Sequence, residues 1–151
     1  MSLEDRILED MKSALKAGRK DELGTIRLLR AQLKEERISK GSDLSEEDVM
    51  AVLQKAAKRR RESIDLYRKG NRQDLVDKEE QELALIQNYL PDQISESEIN
   101  QIITLTIKKL GIISDKNIGK LMGAVMPQVK GKADGKLVQQ LARTALANLD
   151  R

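Results

Sequence analysis

Residues 89–99 decide how this chain folds, and their sequence is YLPDQISESEI. Pro91 cannot continue a helix, because its ring clashes with the preceding turn and its nitrogen has no hydrogen to donate. Ser95 followed three residues later by Glu98 is a capping box, the typical start of a new helix. The stretch therefore predicts a boundary between two helical units, residues 1–91 and residues 92–151.

Four helices are predicted before this boundary, because apolar residues recur there at intervals of three and four. The first helix repeats an apolar residue every four positions over residues 3–15. Gly18 is expected to end it, and Gly41 and the pair Gly70-Asn71 are expected to end the second and third helices.

Three helices are predicted after the boundary. The fifth runs from the capping box to Gly111, and the sixth starts near Ile118. Pro127 is expected to end or kink the sixth helix near Met126, and Asp134 is a good N-cap for the seventh. The predicted fold is all-α with about seven helices, an N-terminal four-helix unit followed by a small three-helix unit.

The composition excludes several classes of active site. The chain has no cysteine and no histidine, which removes disulfides, thiolate nucleophiles, the commonest general base and the commonest metal ligand. The acids of DKEEQE, residues 77–82, scatter around their helix, so no acid/base pair converges there. We therefore predict no active site of the chain's own, no cofactor and no metal.

The sequence also favours a protein without a membrane partner. No apolar stretch approaches the ~20 residues of a membrane span. The N-terminal sequence MSLEDRILEDMK carries acids, where a signal peptide has an apolar run. We expect a cytoplasmic protein.

Positive charge is concentrated in the C-terminal part of the chain. Residues 1–91 contain 19 Lys and Arg against 19 Asp and Glu, whereas residues 92–151 contain 9 against 6, which supplies the whole net charge of +3. The excess centres on GKLMGAVMPQVKGKADGKLVQQL, residues 119–141. The candidate binding residues are its cations and their neighbours: Lys116, Lys120, Lys130, Lys132, Lys136 and Arg143.

The same segment contains four glycines. GKADGKL is not a phosphate-binding P-loop, because only three residues separate Gly131 from Gly135 and Leu137 stands where the motif needs a hydroxyl. Gly119 and Gly123 lie four residues apart on one helix face, so we predict that another helix approaches closely there. Gly131 and Gly135 are expected to let the chain bend between the sixth and seventh helices.

Two interpretations of the lysines are open at this point. A charge run is usually a solvated face, but such faces mix both signs of charge. Lysines on a glycine-hinged loop can instead follow a nucleic-acid backbone. With two tyrosines and no Phe or Trp, any nucleic acid is expected to be held by backbone and shape rather than by stacking. The cations of KAAKRRRES, residues 55–63, point around their helix and favour an ordinary charged surface.

Three motifs resemble the GatB/YqeY family. They are GNRQDLV at residues 70–76, YLP at residues 89–91 and GKLMGAVMPQVKGKADGKLV at residues 119–138. The resemblance covers essentially the whole chain and is most specific over the last motif. It implies an all-helical protein like the small stand-alone YqeY-like members, with residues 92–151 similar to the tail domain of the aspartyl/glutamyl-tRNA amidotransferase B subunit.

The resemblance implies a tRNA-contacting module. In the amidotransferase the tail contacts the tRNA body while the chemistry happens elsewhere, and the large catalytic part has no counterpart in 151 residues. By position, the contact candidates are Lys120, Lys130, Lys132 and Lys136, with Lys116 and Arg143 flanking them.

Two hypotheses follow. In the first, the chain is a non-catalytic protein that binds tRNA or another structured RNA through its C-terminal unit. In the second, it is an accessory component of a glutamine-dependent amidotransferase, a carbon–nitrogen ligase with glutamine as amido-N-donor, and binds a protein partner through its N-terminal helices.

Overall fold

The structure, a computed structural model, describes residues 1–149. Within that range the chain forms seven α-helices and one short 3₁₀ helix, without a β-strand, so the predicted all-α class is confirmed. The helices are α1 (Leu3–Ala17), α2 (Lys20–Lys40), α3 (Glu46–Lys69), α4 (Gln73–Gln87), α5 (Glu96–Leu110), α6 (Ile118–Val129) and α7 (Gly135–Asn148), with the 3₁₀ helix at Asp115–Asn117. None of these helices is long and apolar enough to cross a membrane.

Serine side chains cap the N-termini of α3 and α5. The Ser45 hydroxyl accepts a hydrogen bond from the Asp48 N–H at 3.1 Å, and the Asp48 carboxylate accepts one from the Ser45 N–H at 2.9 Å, which completes a capping box. At α5 the Ser95 hydroxyl accepts from the Glu98 N–H at 3.2 Å. Within residues 1–149 no return bond joins the Ser95 N–H to the Glu98 carboxylate. Only half of the predicted capping box therefore forms at α5.

The predicted glycine-marked helix ends are confirmed. Gly18, Gly41 and Gly111 end their helices in the left-handed region, with φ of 71°, 77° and 65°, which glycine adopts without steric cost. At the end of α3 the left-handed residue is Asn71, with φ of 56°, whereas Gly70 keeps a φ of −87°. Asparagine tolerates this conformation better than other residues with a Cβ.

Proline does not end α6 where the sequence predicts. The sequence predicts that α6 ends or kinks near Met126. It does not end there, since the helix continues through Pro127 to Val129. Proline lacks the hydrogen bond that its own nitrogen would donate to the Gly123 carbonyl, and its ring crowds that carbonyl. The residues after it keep their N–H groups, so the last turn of the helix persists.

The chain divides into two compact units, Met1–Pro91 and Asp92–Arg151, the second described as far as residue 149. In the first unit α3 packs along α4, α1 packs on α2 and α3, and α2 contacts α3 and α4. Its core is aliphatic, and its largest fully buried side chains include Ile7, Ile26, Leu29, Leu53 and Ile86. That the two units fold independently stays a prediction.

In the second unit α5, α6 and α7 each pack against the other two. Their shared core includes Ile99, Ile103, Leu121, Val125 and Val138. Before α5, the Gln93 side-chain amide donates to the Gly131 carbonyl at 2.8 Å and the Ile94 N–H donates to the Lys132 carbonyl at 3.0 Å. The segment leading into α5 is therefore tied to the loop between α6 and α7.

Candidate nucleic-acid interface

The loop between α6 and α7 alternates buried and exposed residues. Val129, Gly131 and Ala133 are buried, whereas Lys130 and Lys132 between them are exposed. The loop is held closed by two bonds to the Val129 carbonyl, from the N–H of Lys132 at 2.8 Å and of Ala133 at 3.2 Å. Because three residues are anchored inward, the two lysine side chains are directed to solvent.

Gly131 is required at the centre of this loop. Its φ of 78° lies in the left-handed region, which costs a residue with a Cβ about 1–2 kcal/mol. Its carbonyl also accepts the bond from Gln93 described above. The predicted bend at Gly131 is therefore a specific backbone conformation that fixes where Lys130 and Lys132 emerge.

Two further cations lie at the start of α6. Lys116 belongs to the 3₁₀ helix and Lys120 to the first turn of α6, and both are exposed. They lie four residues apart in the sequence, one on each side of the junction between the two helices. Gly119 and Gly123, also exposed, are four residues apart within α6.

Lys136 and Arg143 lie on α7. Both are exposed, and their separation of seven residues puts them on one face about 10 Å apart along the axis. As predicted, Asp134 caps this helix, since its carboxylate accepts a hydrogen bond from the Lys136 N–H at 3.2 Å. The cap engages the backbone of Lys136, while the side chain of that residue stays exposed to solvent.

Five of the six candidate cations are without an ion pair to a described carboxylate. Among the described residues, no ion pair engages Lys116, Lys120, Lys132, Lys136 or Arg143. An exposed ammonium group without a carboxylate partner remains available to a phosphate oxygen, with release of the phosphate's counterion. The six predicted residues are thus all exposed cations of one three-helix unit, on α6, on α7 and on the segments that precede them.

The predicted close helix approach at Gly119 and Gly123 is wrong. A Cβ added at either position would meet no atom of the described chain within 4 Å. At Gly135 a Cβ would make only an ordinary contact, 3.7 Å from the Met126 methyl group. The spacing of four places Gly119 and Gly123 on one face, but α6 buries the opposite face, with Leu121 and Val125, in the core.

Arg60 departs from the interpretation of residues 55–63 as an ordinary charged surface. Its side chain is buried, and its guanidinium donates to the Ala56 carbonyl at 3.3 Å and to the Glu82 carboxylate at 3.4 Å. Burial, followed by the charge of Glu82, raises the pKa of the neighbouring Glu79. This cation therefore joins α3 to α4, whereas Arg59 is exposed as predicted.

A cationic face of α2 escapes the sequence analysis. Arg27, Arg30, Lys34 and Arg37 line a groove of about 560 Å³ beside α1. Their spacing of three, seven and ten residues is the signal that could have revealed one helical face. It is hidden in the summed charge, because the 19 acids of residues 1–91, most of them on other segments, balance the 19 cations of that unit.

The tyrosines offer little for base stacking. Tyr89 is buried, its hydroxyl donates to the Asp10 carboxylate at 2.5 Å, and the Arg6 guanidinium lies 5.4 Å from its ring centre. Burial, reinforced by the bond to Asp10, raises the pKa of the Tyr89 hydroxyl well above its ordinary value. Tyr67, on α3, is half-buried.

Comparison of the sequence with known proteins finds several relatives of this chain. A family model described as "Yqey-like protein" matches residues 4–146. A protein of Pyrenophora tritici-repentis named "Altered inheritance of mitochondria protein 41, mitochondrial" is 29% identical over 130 residues, 85% of this chain and 71% of that protein. The protein of the same name from Vanderwaltozyma polyspora is 37% identical over 111 residues, 72% of this chain and 58% of that protein.

A second group of relatives is much longer than this chain. A glutamyl-tRNA(Gln) amidotransferase subunit of Saccharolobus solfataricus is 37% identical over 67 residues, which are 43% of this chain and 11% of that protein. The subunit of the same name from Thermococcus sibiricus is 41% identical over 54 residues, 33% of this chain and 9% of that protein.

Proposed function

The chain belongs to the Yqey-like protein family, and from that premise we propose that it binds RNA, with a preference for tRNA, through the backbone phosphates. The observation that carries the proposal is the loop of residues 129–133, where buried Val129, Gly131 and Ala133 alternate with exposed Lys130 and Lys132. This alternation presents cations at fixed positions without a long flexible tether.

The cations of the C-terminal unit suit a phosphate backbone better than a base edge. They are five lysines and one arginine on exposed faces, and phosphate contacts fix position without reading sequence. The described unit contains no aromatic side chain on which a base could stack. The RNA is therefore held by its charge and shape, and the affinity falls steeply with salt.

The amidotransferase relatives support tRNA as the preferred RNA. The name of the Saccharolobus solfataricus subunit mentions glutamyl-tRNA(Gln), and 67 residues of that subunit align with this chain. The shared segment covers only 11% of that subunit, and we propose that it is a transferable binding module rather than the catalytic part. The proposed role of this chain is accordingly non-catalytic.

A second candidate function is that of an accessory component in a glutamine-dependent amidotransferase, bound to a protein partner. A groove of about 840 Å³ between α2 and α4 favours it, because Leu28, 52% exposed, and Leu85 line this groove together with Gly24. Apolar side chains at the centre of a polar rim are typical of protein interfaces. The proposed partner is an amidotransferase subunit, because the names of two relatives describe such subunits.

The compartment is part of the proposal. We expect the protein to act in the cytoplasm, where it meets tRNA. The names of the relatives from Pyrenophora tritici-repentis and Vanderwaltozyma polyspora describe those proteins as mitochondrial. Fractionation of the source cells with an antibody against the chain tests this expectation.

The experiment that tests the function is a crosslinked pull-down followed by RNA sequencing and mass spectrometry. The bait is the whole chain, and the matched control is the variant with Lys130, Lys132 and Lys136 changed to Gln. We expect tRNA to be enriched with the wild type and lost with the variant. Recovery of the same amidotransferase subunits by both baits at high salt, without enriched RNA, would favour the accessory role, because apolar interfaces resist salt.

A further inference from the structure

The positive and the negative side chains of α2 lie on different sides of the helix. Arg27, Arg30, Lys34 and Arg37 line the groove of about 560 Å³ beside α1. The acids Glu35 and Glu36 instead line a different groove with residues of α3. Asp21 and Glu22, in the first turn, line the groove beside α4. The acids of α2 therefore lie away from these four cations, and the helix presents one strongly positive face.

Little negative charge faces these four cations. Glu4 of α1 lines the groove with Ile7, and its carboxylate pairs with Arg37 at 2.5 Å. Arg30 donates to the sulfur of Met11 at 3.2 Å rather than to a carboxylate. Within residues 1–149 no ion pair engages Arg27, Arg30 or Lys34.

The other acids of α1 that could turn towards this face are engaged elsewhere. The Asp10 carboxylate accepts the Tyr89 hydroxyl at 2.5 Å, and the Asp5 carboxylate accepts the Ser2 N–H at 3.4 Å. Glu9 lies 3.7 Å from the ammonium group of Lys12. On the positive face of α2, Arg37 is thus paired with Glu4 and, at 3.9 Å, with Asp43, whereas the exposed Arg27, Arg30 and Lys34 make no ion pair with a described carboxylate.

The geometry fits a row of phosphates. From Arg27 to Arg37 the helix rises about 15 Å, which is several times the advance of about 3.4 Å between successive phosphates of one strand in a DNA duplex. Three of the four cations are arginines, whose planar guanidinium binds two phosphate oxygens at once. Among the described residues that line the groove there is no aromatic side chain on which a base could stack.

We propose that this face of α2 is a second binding surface for the phosphate backbone of structured RNA, in addition to the C-terminal lysines. The inference rests on the proposed RNA-binding function and assigns part of that function to the N-terminal unit. Two surfaces on one chain raise the effective concentration of each for the same RNA, so the overall affinity exceeds that of either surface.

The test compares two variants of the whole chain that lose the same charge. One carries Arg27→Gln, Arg30→Gln and Lys34→Gln, and spares the paired Arg37. The control carries Lys16→Gln, Lys55→Gln and Lys78→Gln, three exposed cations on α1, α3 and α4. Glutamine keeps the helix propensity of the cations it replaces, and circular dichroism and thermal melting check that both variants fold.

Binding to unfractionated tRNA is measured between 50 and 200 mM salt. The α2 variant should lose about tenfold or more in affinity at the low end, and its slope of log affinity against log salt should become shallower by about 2–3. The control should stay within about threefold of the wild type, as loss of net charge alone predicts. Arg27→Lys with Arg30→Lys should keep the slope and lose part of the affinity, because lysine keeps the charge but not the two-oxygen geometry.

Overlay of the α2 variant on the control would overturn this inference while leaving the C-terminal lysines as the RNA-binding surface. Failure of the wild type itself to bind tRNA at 50 mM salt would instead overturn the proposed function and the inference together. The two failures are therefore distinguished by the wild-type curve.

Discussion

Gly131 and Gly123 both lack a Cβ, but they lie in opposite surroundings. Gly131 is buried with a φ of 78° at the centre of the lysine-bearing loop. Gly123 is exposed in the interior of α6, with open space where a Cβ would stand. The first glycine is needed by its backbone conformation, and the second only weakens the helix that contains it.

The same substitution should therefore have opposite effects at these two positions. Gly131→Ala should lower the free energy of unfolding by about 1–2 kcal/mol, because alanine is strained at positive φ. Gly123→Ala should raise it by about 0.5–1 kcal/mol, because alanine favours the helix. Urea unfolding of both variants measures the difference, and a change of the same sign in both would contradict the described geometry.

At the scale of the element, α3 begins with a network of charge and capping bonds. The Asp48 carboxylate pairs with the Lys40 ammonium at 2.5 Å and accepts the Ser45 N–H at 2.9 Å. The bond from Lys40, followed by those with Ser45, lowers the pKa of Asp48 from 3.8 to about 2. The ionised carboxylate therefore links the end of α2 to the start of α3.

This network predicts a particular pH dependence. The folded pKa of Asp48 lies below its ordinary value, so its contribution to stability is present above about pH 4 and is lost as the pH falls through about 2. The difference in free energy of unfolding between the wild type and Asp48→Asn should narrow between pH 5 and pH 2. The control is Asp65→Asn, a substitution of an exposed residue on the same helix. A difference in free energy of unfolding between the wild type and Asp48→Asn that does not change with pH would contradict the prediction.

The elements themselves could be predicted from the sequence where the signal is local. Glycine at the helix ends, serine at the starts and the apolar periodicity act within one turn, so the ends at Gly18, Gly41 and Gly111 were predictable. The continuation of α6 through Pro127 was less predictable, because it depends on how strongly the core holds the turn that follows the proline.

The surroundings of each face could not be predicted in the same way. The spacing of Gly119 and Gly123 specifies a shared face, but only the packing of α5, α6 and α7 decides that this face is exposed. For the same reason the groove beside the cations of α2 requires α1 to be placed first. Exposure of the six predicted cations, by contrast, follows from their charge.

At the scale of the whole molecule, the chain consists of two compact units that meet at Pro91 in the sequence. Between the end of α4 at Gln87 and the start of α5 at Glu96 the chain is not helical. Each unit has its own aliphatic core. We therefore expect the two units to behave as separate folding bodies.

Limited proteolysis with a protease of broad specificity tests this expectation. The first cut should fall within residues 90–95, most readily near the exposed Asp92, because helical segments resist cleavage until they open. The N-terminal fragment should remain helical and should melt cooperatively when it is isolated. A first cut inside α3 or α5, with residues 90–95 intact, would show that the two units do not behave separately.

The central claim is that the exposed lysines around the loop between α6 and α7 bind an RNA backbone. Its most direct measurement is tRNA binding across a salt series by the wild type and by the variant with Lys130, Lys132 and Lys136 changed to Gln. Exposed charges add little to stability, so the variant should fold and melt like the wild type. Its affinity should fall, and its slope of log affinity against log salt should become shallower by up to about 3, one phosphate for each lysine. Coincident curves for the two proteins would contradict the claim and would leave the cluster as a solvated face.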